Sequence, residues 1–447
     1  MEDDVTSILD GTIGWFWPWY EKPRRISAEP ERGYIRLIAP DTVELTALDE
    51  DAFRDDGGEH IPRPRLITGA TERGGLLMLD VKGVGLKTRM GGSAASVRHY
   101  RARTLLANAP IEDIRSERLR SLSAHFFGIS RWFGLTGARE SVSRDQEGRL
   151  TGFTVRVESQ PEASIRIPGG REVAISPYWS TRGSADRRTI NAPVELECRS
   201  ARPQSLWALR QPLLRIQDLI SFCYEGSITA EGGLATPDLT KEAPEELRLW
   251  DAWLMVTRPG VVQAARKDFP LLTLQELGGM PSLRRWLILC SNHLRAVRPV
   301  IEPYRYGKAS PPVRILEIAA AMEYWVATHR RTTAWAKESC CRRRGQGCGW
   351  AWPIARSVGG SFDQWVGDSR EWSHRFWGTY NKLKHEPEYV FDEYELATLA
   401  ESASLLLAVA LLCRVSRNKE PARRLFADTS ATWPLQRRVQ NLFKDSN

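Results

Sequence analysis

Tyr34–Leu48 reads YIRLIAPDTVELTAL, with apolar and polar side chains alternating on either side of Pro40-Asp41. A period of two sends alternate side chains to opposite faces of an extended strand, and a Pro-Asp break between two such runs marks a hairpin. Short runs of similar texture follow at Leu76–Val81, Phe153–Glu158, Ala163–Ile167, Glu172–Ile175 and Val194–Cys198, bounded by Gly, Pro or Asp. That density predicts a β-rich first half. Helical spacing interrupts it in two places. Ser116–Leu135 carries Leu119, Leu122, Phe126, Ile129 and Phe133 at steps of three and four, and Pro203–Tyr224 repeats the pattern through Leu206, Leu213, Ile216, Leu219, Ile220 and Cys223. Both predict amphipathic helices laid on a sheet.

From about Glu242 the texture changes to helical periods over Pro281–Val300, Pro311–Arg331, Phe362–His385 and Glu393–Val415, with a shorter one near Leu425–Phe443. Lys337–Val358, with Cys340, Cys341, Arg342, Arg343, Arg344 and Cys348, reads as an irregular basic insertion. The expected fold class is therefore α+β: a β-rich N-terminal domain with inserted helices over 1–228, a helical connecting region over 229–310, and an all-α bundle over 311–447.

Composition narrows the function classes. The chain has 447 residues, 42% hydrophobic and 26% charged, which excludes disorder, collagen-like repeats and a coiled coil as readings of the whole. The longest mainly apolar run, Ala403–Cys413, broken only by Ser404, is shorter than the roughly 20 residues a bilayer needs, so no membrane partner is expected. Glu2, Asp3 and Asp4 have the wrong sign for a secretory leader, which predicts a cytoplasmic protein with its seven cysteines reduced. Cys340, Cys341 and Cys348 lack the paired spacing of a zinc clamp, and no P-loop, G-x-S-x-G or H-E-x-x-H element occurs. Neither a metal nor a cofactor is expected. Arg outnumbers Lys by 52 to 11 in a chain of formal net charge +8, which eases contact with phosphate.

The segment with the most chemistry ends at His385. Ser361 and Gln364 match a capping box after Gly359-Gly360, and Pro387 disfavours helical geometry at Glu386, so His385 falls in a final helical turn. Unpaired carbonyls there carry partial negative charge, and imidazole is the side chain suited to passing protons near neutral pH. Asn381 lies four residues earlier on the same face, in a polar stripe that continues through Gly378 to His374. On Pro311–Arg331, Glu323 falls in line with Leu316, Ala319, Ala320 and Ala327, which predicts a carboxylate on a core face, in need of a partner such as His385 or Asn381.

Tyr380-Asn381-Lys382-Leu383-Lys384-His385, closing one long helix and followed by Pro387 and another helix, resembles the HEPN ribonuclease domains, in particular those of ApeA-like anti-phage defence proteins. Upstream, Gly11–Pro18, Gly33–Leu45, Leu76–Asp80, Ser116–Gly137 with Arg131-Trp132, and Ala192–Tyr224 resemble the ApeA N-terminal domain. The resemblance implies that the all-α region is a HEPN bundle acting as a homodimer or higher homo-oligomer. It further implies metal-independent RNA cleavage by 2′-hydroxyl attack, in an abortive-infection effector released by a phage-derived trigger. His385 matches the histidine of the family motif, Asn381 its polar residue and Glu323, more loosely, an acidic residue of an earlier helix. These are the catalytic candidates. Lys382, Lys384, Arg375, Tyr380, Arg342, Arg343 and Arg344 are the RNA-binding ones. One departure stands out: the motif is an arginine, four to six intervening residues and then the histidine, and Gly378, Thr379 and Tyr380 occupy the positions where that arginine would stand. The alternative reading is a catalytically inactive HEPN protein that binds RNA, nucleotide or a partner protein.

Each candidate also has a plain structural role open to it. His385 and Asn381 can cap their helix, Lys382 and Lys384 favour its C-terminus, and the arginine run can be a solvated loop. The cluster Trp15-Phe16-Trp17-Pro18-Trp19 either stacks on a ligand or closes one end of the β-rich domain.

Overall fold

In the computed structural model the Tyr34–Leu48 pattern forms two antiparallel strands, Glu31–Ala39 and Thr42–Asp49, with Ile35 opposite Leu45 and Leu37 opposite Val43. Ile35, Val43, Leu45 and Ala47 are buried and Tyr34 faces out, as the alternation requires, whereas Leu37, on the Ile35 side, is exposed where the pairing shifts register. The structure describes residues 3–20, 30–49, 64–87, 96–111, 114–135, 139–157, 162–184, 188–239, 246–264, 269–329, 349–428 and 430–444. The chain divides into two compact units. One comprises Met1–Phe127, Gly137–Leu214 and Thr229–Val256; the other comprises Gly128–Thr136, Arg215–Ile228 and Thr257–Asn447. The first is built on a sheet and the second on helices, so the fold class is α+β.

Among the described residues of the first unit, one antiparallel sheet carries fourteen strands. The aromatic run is an interior strand, Thr12–Trp19, between Glu31–Ala39 and Leu66–Thr71. Phe16 is fully buried among Ile35, Leu45, Ile67, Leu76 and Met78, while Trp15 is 43% exposed with the Arg32 guanidinium 4.6 Å from its ring. Backbones approach closely at Gly75, where a Cβ would overlap the Ala109 carbonyl oxygen. Gly75→Ala is therefore expected to destabilise the first unit by about 1–3 kcal/mol, read as an earlier thermal transition by circular dichroism. An unchanged melt would show that this edge gives way freely.

Several expectations are corrected here. Ser116–Leu135 is not one helix. Ile114–Phe126 is a strand paired with Val194–Ser205 and Leu234–Leu239, and only Ser130–Phe133 is helical. Leu122, Ser123 and Ala124 are consecutive and all buried. The pairing with both neighbours shifts register between Ser121 and Leu119, skipping Arg120, so Leu119 falls out of phase with Leu122, Ala124 and Phe126, and apolar residues at 119, 122 and 126 imitate a helical period. The polar residues of this strand are satisfied across it: Ser121 bonds Thr236 at 3.0 Å and His125 bonds Glu195 at 3.2 Å. The helix expected over Pro203–Tyr224 is present as Leu206–Cys223. The region 229–310 does not form one helical connector, because Leu234–Leu239 and Leu247–Asp251 complete the sheet ladder.

In the second unit the helix Glu393–Ser416 is the central element, flanked by Pro311–His329, Ala351–Val358, Met280–Asn292, Leu294–Ile301 and Trp433–Lys444. Its N-cap Asp392 accepts the Tyr394 N–H at 2.8 Å, and Arg417 ends it at φ 64°. By length and composition this helix is apolar enough to cross a membrane, but 78% of its most apolar window is buried inside the bundle. The helix expected over Pro281–Val300 breaks at His293 into two, and Ala351–Val358, expected to be irregular, is helical. Cys198, Cys223, Cys290 and Cys413 are buried and unpaired, and among the described residues no cluster suited to a metal ion occurs. Cys340, Cys341, Cys348 and the run Arg342, Arg343 and Arg344 lie outside the described residues.

Candidate functional site

The segment Phe362–His385 forms two helices, Gly360–Val366 and Ser369–His385, separated at Gly367 with φ 95°. The expected Ser361–Gln364 capping box does not form. The working cap is Asp368, whose carboxylate accepts the Arg370 and Glu371 N–H groups at 2.7 and 2.9 Å. One face of Ser369–His385 is anchored by buried Trp372, Phe376, Trp377 and Tyr380, with Trp372 and Phe376 rings stacked at 5.5 Å and the Trp372 indole N–H donating to Ser402 at 3.1 Å. Turning 100° per residue from that anchored face leaves His374, Asn381 and His385 exposed, with half-buried Gly378 between them. The polar stripe therefore forms as expected. His385 lies in the last turn, and the helix ends as Glu386 donates its N–H to the Lys382 carbonyl.

Lys382 and Lys384 are exposed in the same turn, each held over an aromatic ring: Lys382 lies 5.2 Å from Tyr389, and Lys384 lies 5.4 Å from Tyr380 and donates to its hydroxyl at 3.2 Å. Tyr380 is buried, so it supports the lysine and offers little surface of its own. Arg375 is committed elsewhere. It bonds Glu395 at 2.6 Å and the Leu442 carbonyl, which ties the helix to the starts and ends of its neighbours, and the Glu395 bond pushes its pKa further up. Glu323 corrects an expectation: it is exposed, and among the described residues it has no hydrogen bond or ion pair. The inward face of Pro311–His329 is set by Ile315, Ile318, Ala319, Met322 and Trp325, so the line drawn through Glu323 starts at the core, with Ala319 buried and Leu316 and Ala320 half-buried, and turns to solvent at Glu323 and Ala327. Within one chain, then, Asn381, His385, Lys382 and Lys384 come together, while Glu323 and Arg375 do not join them.

Sequence reading passed over two histidines, His293 and His329. Trp325 and His329 are four residues apart on a helix, the spacing that could have revealed them, but an apolar helix disguised it. The rings of Trp325 and His329 lie 4.0 Å apart by centroid, and His293 lies 5.5 Å from each. His329 Nδ1 sits 2.9 Å from the Trp325 carbonyl, and burial, reinforced by Arg414 and His293, pushes its pKa below the ordinary 6.5. The unfolded chain thus binds this proton more readily, and stability is lost as pH falls below about 6.5. His329→Gln is expected to flatten the decline of urea stability between pH 7.5 and 5.5, by at most about tenfold in the folding equilibrium per pH unit. Parallel curves for the two proteins would contradict the assignment.

Residues 11–254, more than half the chain, match the family described as ApeA N-terminal domain 1. The chain belongs to this ApeA family. The matched span runs from the Thr12–Trp19 strand to the Ala252–Met255 helix, so the ApeA domain contains the large sheet and the Leu206–Cys223 helix. No curated protein and no solved structure matches the chain. An ApeA-family chain carries its signature in the sheet, while the His385 stripe lies in the helical region beyond the match.

Proposed function

We propose that this ApeA-family protein is an effector of bacterial anti-phage defence whose helical half is a HEPN-type, metal-independent endoribonuclease. Two copies bring their His385 turns together over RNA. The observation that carries this reading is the solvent-facing stripe of His374, Gly378, Asn381 and His385, flanked by two exposed lysines at the end of a rigidly anchored helix. His385 exchanges the proton of the ribose 2′-hydroxyl or of the leaving oxygen, Asn381 positions the phosphate, and Lys382 and Lys384 offset the charge that develops on it. A phage-derived trigger acting on the ApeA domain releases the activity, and the two-copy arrangement supplies groups that one chain leaves apart. Incubating the purified protein with bulk RNA in EDTA tests this: cleavage leaving 2′,3′-cyclic phosphate ends is expected.

A second reading, a HEPN protein without nuclease activity that signals by binding RNA, nucleotide or a partner protein, is favoured by two observations. No arginine occupies positions 378–380, and Arg375 is held by Glu395. RNA retention without any cleavage would select it.

A further inference from the structure

A cavity of about 690 Å³ opens in the helical unit, with Arg284, Arg285, His293, Arg414, Arg417 and Lys419 among its lining residues. Among the described residues, no aspartate or glutamate lines it. The cations come from separate elements. Arg284 and Arg285 project from Met280–Asn292, Arg414 from the last turn of Glu393–Ser416, and Arg417 and Lys419 from the turn that follows it. His293 and His329 complete the wall together with Trp325. Among the described residues, Arg414 and Arg417 have no acidic partner, although this protein pairs many of its other arginines with carboxylates.

Gathering like charges in a concave site costs free energy that surface dispersal would avoid, and a bound anion offsets it. Burial, and after it the nearby Arg417, lowers the pKa of Arg285. The same guanidinium is held in place, with Nε donating to the Val415 carbonyl and Nη2 to Ser282 Oγ at 2.6 Å. Burial, and after it Arg414, lowers the pKa of His293 in the same way. Neutral imidazoles add hydrogen-bonding capacity to the wall without adding to the repulsion. Guanidinium groups match phosphate oxygens in pairs, and the volume suits a ligand of nucleotide size.

We propose that this cleft is a binding site for nucleotide phosphate, carried either by a free nucleotide or by an RNA strand, and separate from the His385 turn. It does not depend on the nuclease reading. Two probes separate the sources: ATP by calorimetry, and a labelled single-stranded 12-mer of 2′-O-methyl RNA by fluorescence anisotropy, in which the missing 2′-hydroxyl prevents cleavage. The full chain is compared with the double variant Arg414→Ala/Arg417→Ala and with His385→Ala. Both arginines are exposed, so the double variant is expected to melt like the parent. Binding of at least one probe is expected, weakened about tenfold or more in the double variant, and ATP binding is expected to be unchanged in His385→Ala. In the RNA arm, losing two phosphate contacts lowers the slope of log affinity against log salt by about 1.4. ATP binding alone assigns a nucleotide, RNA alone a strand, and both the shared phosphate. Failure of both probes to bind, or equal affinity in the double variant, overturns the proposal.

Discussion

His385→Ala is expected to reduce RNA cleavage in EDTA by about 10²-fold or more, the range over which a positioned acid or base accelerates proton transfer. His385 is exposed and makes no hydrogen bond among the described residues, so its removal leaves the helix anchored by Trp372, Phe376, Trp377 and Tyr380. The loss would therefore be chemical. Thermal melts of parent and variant should superimpose while gel-resolved cleavage disappears. Asn381→Ala should also depress turnover, and Lys382→Ala/Lys384→Ala should chiefly weaken binding, with a shallower salt dependence. Unaltered cleavage by His385→Ala would remove the imidazole from the mechanism and with it the HEPN reading of this turn.

The largest expected effect on stability lies in the ApeA domain. Asp251 is fully buried; its Oδ2 accepts from Thr104 at 2.8 Å and from Arg210 at 2.9 Å, while Oδ1 caps the Trp253 and Leu254 N–H groups at 3.0 and 3.2 Å. Asp251→Ala strips the cap and leaves Arg210, itself 4% exposed, with, among the described residues, only Asp80 at 3.8 Å to oppose its charge. Breaking one partner of a buried ion pair costs about 3–5 kcal/mol, because the remaining charge stays desolvated. The first transition in urea should move to markedly lower denaturant, and Asp251→Asn, which keeps an acceptor for the cap, should lie between. A midpoint within error of the parent would mean that water reaches Arg210 freely.

The outcome at Glu323 and Arg375 explains how far the site could be read in advance. His385, Asn381 and the two lysines sit within one helical turn, so their common face follows from helix geometry alone. Glu323 and Arg375 are different: their surroundings are made by other helices. Arg375 meets Glu395 and the Leu442 carbonyl from segments that are remote in sequence, and no local pattern announces that pairing. The cleft of His293, His329, Arg414 and Arg417 was hidden for the same reason, since each residue looked ordinary on its own helix. The strand Ile114–Phe126 misled in another way, because a register shift at Arg120 breaks the phase of its period-two alternation between Leu119 and Leu122.

From its sequence alone this chain determined an α+β architecture, the Tyr34–Leu48 hairpin, the Leu206–Cys223 and Glu393–Ser416 helices and the placing of His385 at a helix end. All of these depend on periodicity, turn residues and proline, whose effects act within a few residues. Only the tertiary structure decided that a helical-looking run is an interior strand, that Glu323 faces water, that Arg375 is spent on Glu395, and that five cations share one cleft. Those outcomes depend on which distant segments pack together, and burial and charge pairing are properties of that packing rather than of any stretch of chain.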